Sequence, residues 1–117
     1  SLSRELREID DEIVRRLHLD DGGEDALRHA LRAIGDHFAR QEMNRAARYA
    51  FGKFIESDPP DPEDILETGL RLVTLCEEDG EVGPAADLAQ MLAEYFPDDP
   101  RPPENAERLR KIRSVLG

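Results

Sequence analysis

Apolar residues along this 117-residue chain recur at spacings of three and four, the period of one face of a helix. Leu6, Ile9, Ile13 and Leu17, with Val14 beside them, predict a first helix over residues 3–19, ended by Asp20-Asp21-Gly22-Gly23. Glu24 and Asp25 suit the positive start of a second helix, which continues through Leu27, Leu31, Ile34 and Phe38 and stops near Glu42. A third is predicted from Asn44 as N-cap, carrying Ala47, Tyr49, Ala50, Phe51, Phe54 and Ile55, and closed by Ser57-Asp58-Pro59-Pro60. The strongest start signal follows: Asp61 as N-cap, Pro62 at the first helical position, then Glu63 and Asp64 in the first turn. That helix should run to about Glu78, where Gly80 breaks it and Gly83-Pro84 restarts the chain. Ala85, Leu88, Ala89 and Leu92 carry the fifth stripe to Pro97-Asp98-Asp99-Pro100. Pro102-Pro103 then launch a sixth helix with Ala106, Leu109, Ile112 and Leu116 on one side, and Arg108, Arg110, Lys111 and Arg113 near its negative end. The expectation is an all-α fold of about six helices.

Two stretches of this pattern repeat. Gly35 lies in Leu31-Arg32-Ala33-Ile34-Gly35-Asp36-His37-Phe38, and Gly69 lies 34 residues later in Ile65-Leu66-Glu67-Thr68-Gly69-Leu70-Arg71-Leu72. Ala47, Phe51 and Pro59 stand 12, 16 and 24 residues after Gly35. Period and positions together resemble the tetratricopeptide repeat, a helix-turn-helix unit that stacks into a right-handed superhelix and serves protein–protein interaction. The resemblance implies one domain of antiparallel helix hairpins: a capping helix over 1–23, a first repeat over 24–60, a second over 61–100 and a C-terminal capping helix over 101–117. In its frame the first unit starts at Arg28 and places Leu31, Ile34, Gly35, Phe38, Ala47, Phe51 and Pro59 at packing positions. Phe54 departs from the usual small residue. The second unit starts at Pro62 and matches at Ile65, Gly69 and Leu72, but Ala85 and Pro97 come four residues late. Four residues are about one helical turn, so the helix before Gly80 is expected to be one turn longer. Ala89 and Leu92 match loosely where the first unit has aromatics. Small residues at 35, 47 and 69 are expected where two helices cross closely.

Composition narrows the class. Apolar residues make up 38% and charged residues 37%, with six aromatics and no Trp, so a core of Leu, Ile, Val and Ala is expected, in keeping with stacked amphipathic helices. No apolar run approaches the roughly 20 residues that span a bilayer, and the N-terminal stretch is charged where a signal peptide would be apolar. A single cysteine, Cys76, cannot form an internal disulfide, so a reducing, cytoplasmic location is the default, with Cys76 as a small buried residue. The start at Ser1 rather than Met suggests one domain of a longer protein. The net charge of −11 is unevenly spread: residues 1–60 balance to −3, 61–100 to −11 and 101–117 to +3. Such an acidic segment keeps a surface solvated, or attracts a basic partner, including the chain's own Arg-rich last helix. Nucleic acid is disfavoured by the same balance.

In tetratricopeptide proteins the partner groove is lined by first-helix side chains. The resemblance places it at His29, Arg32, Asp36, Ala39 and Arg40 in the first unit, and at Glu63, Leu66, Leu70, Val73 and Thr74 in the second. The alternative for Leu66, Leu70 and Val73 is packing beneath the first or last helix. Asp36 and Glu67 stand where relatives that grip a C-terminal carboxylate use neutral Asn, and two acids would repel that ligand. No motif points to catalysis, a cofactor or a metal: His18, His29 and His37 lack the spacing of ligands on adjacent turns, no serine lies in a Gly-x-Ser-x-Gly elbow, and the acid clusters lack a calcium-loop pattern. The expected function is a non-catalytic adaptor or scaffold that holds a basic or amphipathic protein segment. Alternatives are a dimeric secretion-type chaperone and a regulatory domain of a longer enzyme.

Overall fold

A computed structural model of the chain describes residues 23–116 together with Arg4, Arg7, Glu8, Asp11 and Arg15, which are helical. The stripe from Leu6 to Leu17 and His18 lie outside the described residues. Five continuous helices follow among those described: α1 (Gly23–Arg40), α2 (Asn44–Glu56), α3 (Pro62–Glu78), α4 (Val82–Tyr95) and α5 (Arg101–Leu116). No strand occurs among them, so the fold is all-α. The chain divides into two compact units, Ser1–Pro60 and Asp61–Gly117.

In the first unit α1 packs against α2, with Ala30, Leu31, Ile34 and Phe38 facing Ala46, Ala47, Ala50, Phe51 and Phe54 in the core. The turn between them holds three residues. Met43 N–H donates to the Phe38 carbonyl at 2.9 Å and Glu42 N–H to that of Ala39 at 3.1 Å, a Schellman closure with Glu42 at φ 59°. Met43 therefore occupies the N-cap position of α2 and makes no side-chain cap bond. This corrects the expectation for Asn44: so short a turn leaves its backbone already helical, and it is the first helical residue. At the other end Arg28 Nε and Nη2 donate to the Ser57 carbonyl at 3.3 and 3.2 Å, tying the end of α2 to α1. Pro59, buried next to this contact, cannot supply the N–H that would complete a Schellman closure.

The second unit repeats the turn. Glu81 N–H donates to the Cys76 carbonyl at 2.8 Å and Gly80 N–H to that of Glu77 at 3.0 Å, with Gly80 at φ 78° in the place of Glu42. Ala47 N–H and Ala85 N–H then donate to the Met43 and Glu81 carbonyls, both at 3.0 Å. Asp61 caps α3 as expected, its carboxylate accepting from Glu63 N–H at 3.0 Å, and Pro62 is the first helical residue. The length differs by one turn. α1 ends five residues after Gly35 and α3 nine after Gly69.

Both glycines lie at close crossings. A Cβ built on Gly35 would sit 2.5 Å from the Phe51 ring, and one on Gly69 would sit 2.8 Å from Leu92. The change of partner follows from the added turn. In an antiparallel hairpin, moving the glycine one turn further from the loop moves its neighbour one turn deeper into the second helix. Phe51 is seven residues past the start of α2 and Leu92 is ten past the start of α4. Leu92 thus takes the aromatic's role, and Ala89, the in-frame equivalent of Phe51, is buried beside it in the core. Of the expected packing residues, Leu31, Ile34, Gly35, Phe38, Ala47, Phe51, Pro59, Gly69 and Ala85 are buried, Ile65 and Leu72 are half-buried, and Pro97 is exposed.

Gly52 supplies the control, because it is mid-helix with nothing within 4 Å of a built Cβ. Gly52→Ala is expected to raise stability by about 0.5–1 kcal/mol through helix propensity. Gly35→Ala should lower it by about 1–2 kcal/mol as overpacking against a rigid ring outweighs that gain. Gly69→Ala should fall between them, since the Leu92 methyls yield more readily than a ring. Urea titrations of the three variants check the order. At the turns, Gly80→Ala should cost about 1 kcal/mol because of its left-handed backbone, and Glu42→Gly should cost nothing or stabilise; a melting curve that falls for Glu42→Gly would contradict the shared geometry.

Candidate functional site

Helical spacing puts His29, Arg32, Asp36 and Arg40 along one stripe of α1. His29 and Arg40 are exposed, and Arg32, Asp36 and Ala39 are half-buried. The Arg32 guanidinium lies over the Phe54 ring, 5.9 Å from its centre, so the aromatic that departs from the repeat pattern supports a cation on the stripe. Beside the stripe, Ala33, Ile34, His37, Phe38 and Arg40 line a cavity of about 460 Å³ with Glu8 and Arg15. Its lining combines buried Ile34 and Phe38 with exposed side chains of both signs, Glu8 against Arg15 and Arg40. His37 meets Phe38 edge-on at 5.5 Å between ring centres. Of the groove positions expected on α1, only Arg40 lines this cavity.

The set on α3 behaves differently. Glu63 and Thr74 are exposed, and the Thr74 hydroxyl donates to the Leu70 carbonyl at 3.2 Å. Leu66 and Val73 are buried, at 3% and 1% exposure, and Leu70 is half-buried. Val73 belongs to one apolar cluster with Cys76, Ala85, Ala89, Leu92, Ala106 and Leu109, and Leu70 and Ile112 pack against it. Leu66 and Val73 are therefore core residues rather than groove-lining ones, and Val73 shares its cluster with the last helix.

Charged side chains frame that cluster. Arg101 reaches Glu67 at 3.1 Å, Arg113 reaches Asp87 at 3.0 Å, and Arg108 grips Glu77 with both terminal nitrogens at 2.6 and 2.8 Å. Arg101 also pairs with Asp99 at 2.9 Å, and the Asp99 carboxylate accepts from Arg101 N–H as α5 begins. The basic last helix is thus the cationic partner of the acidic segment, within one chain. Because the start of α5 pairs with the first half of α3 and its middle with the end of α3, the two helices run in the same sense. Glu67 is committed to this pairing, which removes it from any surface offered to a ligand carboxylate. The Arg108 hydrogen bonds hold the Glu77 carboxyl below its ordinary range, against the opposing effect of burial, and raise Arg108 in turn.

These residues define an all-α protein of helix hairpins whose accessible polar stripe lies on α1 and whose α3 face is tied to α5. Among the described residues no helix is long and apolar enough to cross a membrane, and no group of three or more His, Cys, Asp or Glu is placed to hold a metal ion. No family model, curated protein or solved structure matches the chain.

Glu77 titrates lower when folded, so its pairing stabilises the fold above the ordinary value of 4.5 and is lost as pH falls through the lowered one. Between neutral pH and 5 the difference between wild type and Glu77→Gln should stay constant at no more than about 1 kcal/mol, because the pair is partly solvated. Below about pH 4.5 the two unfolding curves should converge. Thermal unfolding across that pH range checks the sign.

Proposed function

We propose that the chain is a non-catalytic protein-interaction module of the helical-repeat type, which holds a segment of another protein against the polar stripe of α1. The observation that carries this is the repetition of one hairpin plan: the same three-residue turn, the same alanine after it, and a glycine-permitted crossing in each unit. Repeated hairpins build extended surfaces from first-helix side chains, and such surfaces hold partner segments rather than transform them. On α1 that surface is His29, Arg32, Asp36, Ala39 and Arg40. Its mixture of cations, one acid and an aromatic-backed guanidinium suits a peptide that carries charge of both signs or an amphipathic helix.

The test uses His29→Ala combined with Arg40→Glu, two exposed positions at which the core is not disturbed. Partners captured from a native extract by wild type should be lost or weakened at least tenfold in the double variant, with the circular-dichroism spectrum unchanged. Partners retained equally by both proteins would overturn the assignment of the stripe.

A further inference from the structure

We propose that α4 carries a second docking surface, a narrow apolar stripe bordered by acids, which takes a basic amphipathic helix of another protein. It is separate from the α1 stripe and does not rest on that reading. At about 100° per residue, Pro84, Leu88, Met91 and Tyr95 fall within about 60° of one another around α4 and follow its length. Pro84 is exposed, Met91 is 37% and Tyr95 75% exposed, and Leu88 is half-buried against the core cluster. Packing within the unit uses the residues next round the helix, buried Ala85, Ala89 and Leu92, and leaves this line to the solvent. A run of apolar side chains in water on so charged a segment marks a contact surface.

The border of the stripe names its occupant. Asp87 and Glu94 follow it on the side away from the core, and Asp98 stands in the turn beyond Tyr95. No Lys or Arg occurs between residues 72 and 100. The arginines of α5 neutralise only part of this charge. Arg113 pairs with Asp87, whereas no ion pair among the described residues engages Glu94 or Asp98, and Glu94 accepts from the neutral Gln90 amide at 3.3 Å.

A helix whose apolar face covers Leu88, Met91 and Tyr95 therefore needs Lys or Arg on the flank that meets Asp87 and Glu94. An acidic helix would be repelled. The same stripe of a second copy is no better: docked antiparallel it sets these acids against the same acids, and docked parallel it sets them against the core-side flank, which has no cation. At 1.5 Å per residue the stripe is about 16 Å long, room for three turns of a partner helix and a small contact of the transient class.

Fluorescence anisotropy with a labelled synthetic helix of about 18 residues, leucines on one face and lysines on the other, tests this. It should bind the whole chain one to one, with a dissociation constant on the order of 10 μM that rises with salt. The same peptide with glutamates for lysines, and a scrambled peptide of unchanged composition, should bind at least tenfold more weakly. The deciding variant is Met91→Glu with Tyr95→Glu. It adds two negative charges, so a merely electrostatic attraction would strengthen, whereas docking on the stripe should weaken at least tenfold. Met91→Gln with Tyr95→Gln should weaken binding at unchanged charge, and His29→Ala with Arg40→Glu should not weaken it, which separates this surface from the α1 stripe. A wild type that does not bind, a scrambled peptide that binds as well, a double glutamate variant that keeps or strengthens binding, or an α1 variant that abolishes it would each overturn the proposal. So would a dimer in sedimentation equilibrium that Met91→Glu with Tyr95→Glu dissociates, because a second copy would then be the occupant.

Discussion

Two missing side chains set how close the helices of each hairpin come. At Gly35 the Phe51 ring occupies the space a Cβ would need, and at Gly69 Leu92 does the same. Close approach lets Ala46, Ala47 and Ala50 of α2 and Ala85 and Ala89 of α4 bury completely, and it places Phe51 and Leu92 at the centre of their units with almost no exposure. Full burial of such a side chain is worth roughly 1.5–3 kcal/mol. The same contact fixes which residues of α1 and α3 point away from the hairpin, and so which are accessible to anything else.

The second unit adds an electrostatic layer. Twelve acids and one arginine between residues 61 and 100 would repel one another in an isolated hairpin. Arg101, Arg108 and Arg113 bring positive charge onto Glu67, Glu77 and Asp87 while Ala106 and Leu109 complete the apolar cluster. Surface ion pairs are individually weak, but three of them on one docked helix fix its rotation. That rotation turns Glu104, Glu107 and Lys111 outward. The core-facing and solvent-facing halves of α5 are thus decided by one set of arginines.

Much of the fold was legible in sequence because its strongest determinants are local. Asp61-Pro62 and Gly80 each act within a turn or two, the paired glycines show by their 34-residue spacing although they act across the hairpin, and the four-residue delay of Ala85 reported the longer α3 directly. What escaped depends on residues far apart. Glu42 adopts a backbone that favours glycine because the turn demands it, with no glycine present to announce it. Leu92 replaces an aromatic because α3 is longer, a consequence of geometry across the hairpin. Leu66 and Val73 share a helical face with the accessible Glu63, and spacing along α3 cannot say how far burial extends around it. Glu77 and Arg108 are 31 residues apart, and only packing decides that they meet.

If the glycine crossings govern the architecture, the cost of a methyl group at Gly35 must depend on what stands opposite. A double-mutant cycle between Gly35→Ala and Phe51→Leu measures that dependence. The crossing predicts a coupling of about 1 kcal/mol or more, with Gly35→Ala costing clearly less once the ring is gone. Equal costs in both backgrounds would show that Gly35 is not held by Phe51 and would contradict the close crossing.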